Sequence, residues 1–268
     1  LSEFKIAVAG KGGVGKTFIA GTLARALAQK GRSVVAVDGD PAMNLAYSLG
    51  FPPQMAKLVH PLSDNLDLIE ERTGVRPGAA GAVFNLAPRV HDILGKHGLR
   101  GPDGVQLIVL GTVKAAGAGC MCPANALLRA LLRHHLMRPN EDLVMDTEAG
   151  LEHLGRGVVK GFNVLLDIVE PRSQSIQTGL RVSALARELQ VQETFFIGNK
   201  VKDEAEGRFL RDTLSAEGVS LFAVIPYDPR LEQADMARVA PIDFAPSSAA
   251  VTAVRGLADL LDKGQGPR

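Results

Sequence analysis

A short apolar run at Lys5–Ala9 gives way to glycines and then to a stretch, Lys16–Lys30, in which apolar positions recur at helical spacing. The same alternation repeats along the chain. Short β-branched or apolar runs at Ser33–Val37, Val105–Leu110, Asp142–Met145, Asn163–Val169, Thr194–Ile197 and Leu221–Ile225 read as further strands. Helical patterns fill Ala80–Lys96, Ala124–Met137, Gln177–Leu189, Ala205–Ala216 and Ser248–Leu261. Strand and helix in turn predict an α/β fold with a mostly parallel central sheet covered by helices on both faces. The stretch Phe51–Pro102 is richest in Pro and Gly and the hardest to parse, and Gly264–Arg268 reads as a frayed tail.

With 268 residues and 46% hydrophobic content the chain can bury one substantial core, so a single domain over 1–268 is expected. Lys plus Arg (30) nearly cancel Asp plus Glu (29), and no basic stripe of the kind nucleic acid requires is present, so no nucleic-acid partner is expected. No apolar run approaches the roughly 18 residues of a membrane span. The early FKIAVAG run is too short for a signal peptide or anchor, and a cytoplasmic protein without a membrane partner is the expectation.

Candidate chemistry begins at Gly10–Thr17, GKGGVGKT, which fits G-x-x-x-x-G-K-[ST] between a strand and a helix. Glycines let backbone N–H groups curl around phosphate oxygens, and the helix N-terminus adds its positive dipole end. Lys16 supplies charge to the β- and γ-phosphates, and Thr17 offers a hydroxyl to Mg²⁺. Asp38 and Asp40, two residues apart after the second strand, suit a metal shell and a water-orienting role, although DGD alone also suits a turn. Asp146 ends the LVMD strand, where a carboxylate can hold Mg²⁺ through water, and Gly150 can approach a γ-phosphate through its N–H.

The only two cysteines, Cys120 and Cys122, stand one residue apart in GCMCP. That spacing excludes a disulfide framework. A bridge between them would close a very small ring and stabilise little. Two thiolates can chelate a soft or borderline metal but cannot close a four-ligand shell, which a twofold axis would complete with a second pair. Tetrahedral Zn²⁺ and square-planar Ni²⁺ both suit four thiolates, and packing or idle thiols are the plain alternative.

The motifs KGGVGKT, DGDP, GCMCP and DTEAGLEHLGRG, with Glu148 and His153 in the last, resemble the CooC-type accessory ATPases. These belong to the deviant Walker A superfamily, with MinD, ParA and the nitrogenase iron protein. The resemblance covers nearly the whole chain in order and spacing. It implies ATP hydrolysis to ADP in a homodimer, with Lys11 reaching the partner's phosphates, Asp40 holding the attacking water and Asp38 near Mg²⁺. It also implies phosphate contacts from the backbone of Gly12, Gly13, Val14, Gly15, Lys16, Thr17 and Phe18, and base contacts at Asn199 and after the strand ending near Pro226. Carbon monoxide dehydrogenase is the implied client and nickel insertion the implied purpose. Phe18 departs from the family's usual Ser or Thr and removes a hydroxyl near the α-phosphate, while its backbone N–H survives.

Two other roles are open to this superfamily. An ATP-gated positioning switch of the MinD or ParA kind would need a basic surface or an amphipathic terminal helix, and Ser248–Lys263 has little cationic face. Electron transfer of the iron-protein kind uses widely separated cluster cysteines, unlike Cys120 and Cys122.

Overall fold

The computed structural model describes residues 3–79, 83–111, 121–148, 150 and 156–262. Among these residues eight strands form one sheet: β1 (Lys5–Gly10), β2 (Val34–Gly39), β3 (Leu99–Arg100), β4 (Gln106–Val109), β5 (Asp142–Thr147), β6 (Val164–Val169), β7 (Glu193–Val201) and β8 (Leu221–Pro226). Their order is β3-β4-β2-β5-β1-β6-β7-β8, parallel throughout except for the short antiparallel edge pair β3–β4. The phosphate-loop strand β1 sits inside, between β5 and β6.

Alternation along β1 divides the core into two layers. Ile6 and Val8 point to one face and join Ile19, Leu23 and Leu27 of the Lys16–Gln29 helix and Val254 and Leu257 of the Ala249–Asp262 helix. Ala7 and Ala9 point to the other face, beneath Leu127 and Leu131 of the Cys122–Leu136 helix and Val182 of the Ser173–Glu188 helix. Burial on both faces is why the strands read as apolar runs rather than one-sided alternation. Among the described residues no helix is long and apolar enough to cross a membrane.

The seven long strands fall where the sequence places them, within a few residues at each end. The expected Ala80–Lys96 helix does not form: residues 80–82 lie outside the described ones, and only Ile93–His97 is helical in the remainder. Pro88 interrupts the run, removing an N–H and biasing its neighbour away from helix. Asn85 closes a local turn by accepting from the Ala87 N–H at 2.9 Å, while its own N–H donates to Thr73 at 2.8 Å. Arg72 then ties the segment down through paired 2.8 Å bonds to Asp92. Arg72 comes from a helix absent from the sequence reading, Leu66–Thr73, capped by Asn65 and ended by left-handed Gly74.

Candidate functional site

The phosphate loop joins β1 to the Lys16–Gln29 helix, and two glycines in it are required by their surroundings. Gly10 has φ 137°, and a Cβ there would lie 2.3 Å from the Ile168 carbonyl oxygen on β6. Gly15 has φ 95°, and its Cβ would meet the Asn199 side chain at 2.4 Å. That helix has no side-chain N-cap and no acidic residue in its first turn. Its N–H groups and dipole end are therefore suited to an anion from outside the chain. Gly12 and Gly13 are exposed, Val14 and Lys16 buried, and Thr17 half-buried.

Among the described residues Lys16 Nζ has one long contact, 3.4 Å to the Lys11 carbonyl oxygen. Desolvation lowers its pKa, while the fields of Asp146, Asp40 and Glu148 favour its charge. A buried ammonium this sparsely hydrogen-bonded is chemically matched to a phosphate oxygen. Lys11 is exposed and turns outward, donating from Nζ to Gln174 Oε1 at 3.0 Å. Phe18 keeps its backbone in the helix and packs its ring against the cluster of Ala240, Ile242 and Val251.

Parallel pairing of β2 with β5 sets Asp38 in register with Asp146, bringing two buried carboxyls side by side. Asp38 accepts from the Asp40 N–H at 3.1 Å and from the Leu45 N–H at 3.0 Å. Burial, and then the charge of Asp146, push its pKa up to about 7. Asp146 Oδ2 accepts from the Thr17 hydroxyl at 2.6 Å, and its other oxygen is buried with no hydrogen-bond partner among the described residues. Burial raises Asp146 to about 6, against the Thr17 hydroxyl and the Lys16 charge. Two desolvated carboxyls, one with an orphaned oxygen, beside a hydroxyl and a phosphate-suited lysine form an oxygen donor set that fits Mg²⁺.

Asp40 is half-buried at the mouth of this cluster, and its Oδ1 accepts from the Ala42 N–H at 2.8 Å. The DGDP segment is thus a side-chain-closed turn as well as a pair of carboxylates. Asn199 Nδ2 donates 2.7 Å to the Val14 carbonyl, so this amide supports the phosphate loop from the end of β7. Pro226 ends β8 in register with Val201. Lys200 carries no motif of its own in the sequence, yet it donates 2.6 Å to the Gly13 carbonyl and pairs with Glu170 at 2.7 Å. Its φ of 57° is unusual for a lysine. Only its place beside Asn199 hinted at this.

Glu148 is exposed and Gly150 buried, while Ala149 and residues 151–155, His153 among them, lie outside the described residues. Cys120 also lies outside them. Cys122 opens the Cys122–Leu136 helix, exposed, and its sulfur is disulfide-bonded. Metal coordination through it therefore requires reduction first.

Residues 5–242 match the CobQ/CobB/MinD/ParA nucleotide binding domain. The chain belongs to that family. The chain is 41% identical over 243 residues to the carbon monoxide dehydrogenase accessory protein CooC of Rhodospirillum rubrum, covering 91% of each chain. Solved structures carry the same fold at lower identity. A ParA family ATPase from Chlorobium tepidum TLS superposes with a TM-score of 0.71 at 18% identity, over 97% of this chain and 99% of that one. MinD from Pyrococcus horikoshii OT3, complexed with Mg-ADP, gives 0.67 at 22%, over 99% and 98%. This member of the MinD/ParA family is a CooC-like P-loop ATPase.

Proposed function

We propose that this ATPase is a dimeric metallochaperone that uses ATP to insert nickel into carbon monoxide dehydrogenase. The observation carrying the reading is the 41% identity to CooC along 91% of both chains, in a chain whose two cysteines form a Cys-x-Cys pair. We read 1–268 as one functional unit in the reducing cytoplasm, where the Cys122 disulfide would be reduced to give the thiolates.

In this reading the backbone from Gly12 to Phe18 and the Lys16 ammonium bind the phosphates, and Asn199 with the backbone at Pro226 borders the base. Thr17, with Asp38 and Asp146 through water, holds Mg²⁺, which neutralises charge on the phosphate oxygens. Asp40 orients the attacking water, and ATP plus water becomes ADP plus phosphate. Lys11 leaves Gln174 to neutralise charge on the partner's nucleotide, so hydrolysis requires the closed homodimer. Closure brings two Cys120/Cys122 pairs to the twofold axis, giving four thiolates for Ni²⁺ or Zn²⁺. Nucleotide and metal then alter each other's affinity by one shared coupling energy.

A positioning role of the MinD or ParA kind draws less support. The apolar side of the Ala249–Asp262 helix, including Val251, Val254 and Leu257, is buried within the fold instead of being free for a membrane. Nickel stoichiometry in reductant, measured with solution mass with and without ATP, tests the shared site. Half a nickel per chain in an ATP-promoted dimer is expected. One nickel per monomer, or unchanged stoichiometry in the Cys120→Ser/Cys122→Ser double variant, refutes it.

A further inference from the structure

The Cys122–Leu136 helix buries Leu127, Leu128, Leu131 and Leu132 against the sheet. Its opposite side presents Asn125, Arg129 and Arg133 at four-residue steps, with Met137 one step further, just past its end. Beside this stripe runs the irregular segment that the sequence had suggested as helix. Between them lies a groove of about 880 Å³, running from Cys122 past Met137 to Pro139. The segment contributes Phe84, Leu86 and Pro88 to the wall.

Two properties of this groove have no use within the fold. Leu86 and Met137 remain 76% and 75% exposed, leaving substantial apolar surface in water. Arg129 and Arg133 are exposed and make no ion pair among the described residues, whereas neighbouring Arg138 pairs with Glu141 at 3.2 Å. No aspartate or glutamate among the described residues lines the groove. The formal charges on its lining are therefore all cationic, beside an apolar wall.

We propose that this groove docks an acidic amphipathic helix of a protein partner. Apolar residues of that helix would cover Leu86 and Met137, and its carboxylates would meet Arg129 and Arg133. The stripe from Cys122 to Met137 is about 22 Å long, which accommodates about four turns of helix, and helix-in-groove recognition works on this scale. Concavity favours a protruding helix over a bilayer surface, which meets projecting side chains. The docked segment would end beside Cys122, on the opposite face of the sheet from the Lys16–Gln29 helix. The proposal rests on groove chemistry alone and stands or falls independently of metal binding.

The test uses a fluorescein-labelled peptide of about 16 residues, four to five helical turns, with Glu along one face and Leu along the other. Fluorescence anisotropy with the full chain is compared against a Lys-for-Glu peptide and a scrambled peptide of the same composition. Saturable binding is expected for the Glu/Leu peptide, with both controls at least roughly tenfold weaker. Arg129→Glu/Arg133→Glu should weaken it by a similar factor, as should Leu86→Ser, with ATP hydrolysis retained as evidence of folding. Absence of saturable binding, equal affinity for the Lys peptide, or indifference to these substitutions overturns the proposal. So does Arg129- and Arg133-dependent co-sedimentation with phosphatidylglycerol vesicles, which would make the groove a membrane contact. Self-association lost in the double variant would assign it to a second copy and overturn the proposal equally.

Discussion

Replacing Asp38 by asparagine should stabilise the nucleotide-free protein at alkaline pH and lose most of that advantage in acid. In the folded chain the Asp38 carboxyl is held near 7 by burial and by Asp146, against 3.8 for the ordinary group. Between those values the folded protein binds more protons than the unfolded chain, so stability falls as pH rises through that window. Above it, the ionised carboxyl costs on the order of 4 kcal/mol. Asparagine removes that cost but has one acceptor oxygen, whereas Asp38 accepts from both the Asp40 and Leu45 N–H groups. Leaving one buried N–H unmatched costs about 1–2 kcal/mol. The net gain at pH 8 is then about 2–3 kcal/mol, and it should shrink by roughly that amount by pH 5. Urea unfolding of both proteins at the two pH values, with EDTA and no nucleotide, reads the difference directly. A stability difference that stays the same at pH 5 and pH 8 would refute the claim that Asp38 is held protonated by burial. Mg-ATP should stabilise the original protein more than the variant, because only the original offers the full carboxylate set.

Three further outcomes are expected. Lys5→Met should cost about 3–5 kcal/mol in urea unfolding, because buried Lys5 Nζ donates to the carbonyls of His135, Arg138 and Glu141 at 2.8, 2.9 and 2.6 Å. Gly15→Ala forces a left-handed alanine against Asn199 and should weaken binding of a fluorescent ATP analogue by roughly tenfold or more; undiminished affinity would remove this loop as the phosphate cradle. Lys11→Ala touches only an exposed bond to Gln174 and should change stability by less than about 0.5 kcal/mol while lowering ATPase at least roughly tenfold. Mixing Lys11→Ala with Asp40→Asn subunits should restore activity in the mixed dimer, and failure to do so would count against action in trans.

The phosphate loop could be read from sequence because its glycines answer to backbone geometry that no other residue satisfies at Gly10 and Gly15. The long strands were legible because burial on both faces writes itself as an apolar run. Local signals lost to tertiary ones around Pro88, where Asn85 and Arg72 hold a path that periodicity does not foretell. The Leu66–Thr73 helix did carry Asn65 and Gly74 at its two ends, but eight residues give little periodicity to notice. Asn199 was visible only as a residue after a strand. Its hold on Val14 joins positions 185 residues apart and depends on β7 and β1 ending on the same side of the sheet. Phe18 looked like a lost hydroxyl, and the fold adds that its ring anchors the Ala240–Ile242 segment and Val251.

The Lys11 ammonium lies against Gln174 of its own subunit. While its ammonium rests on Gln174 it is parked against its own subunit, and in the proposed dimer it would give up that bond as it swings to the partner's nucleotide. An exposed hydrogen bond of this kind is worth no more than about 1 kcal/mol. Resting posture and engaged posture are therefore separated by little more than thermal energy, and the choice between them belongs to whatever anion a second subunit presents.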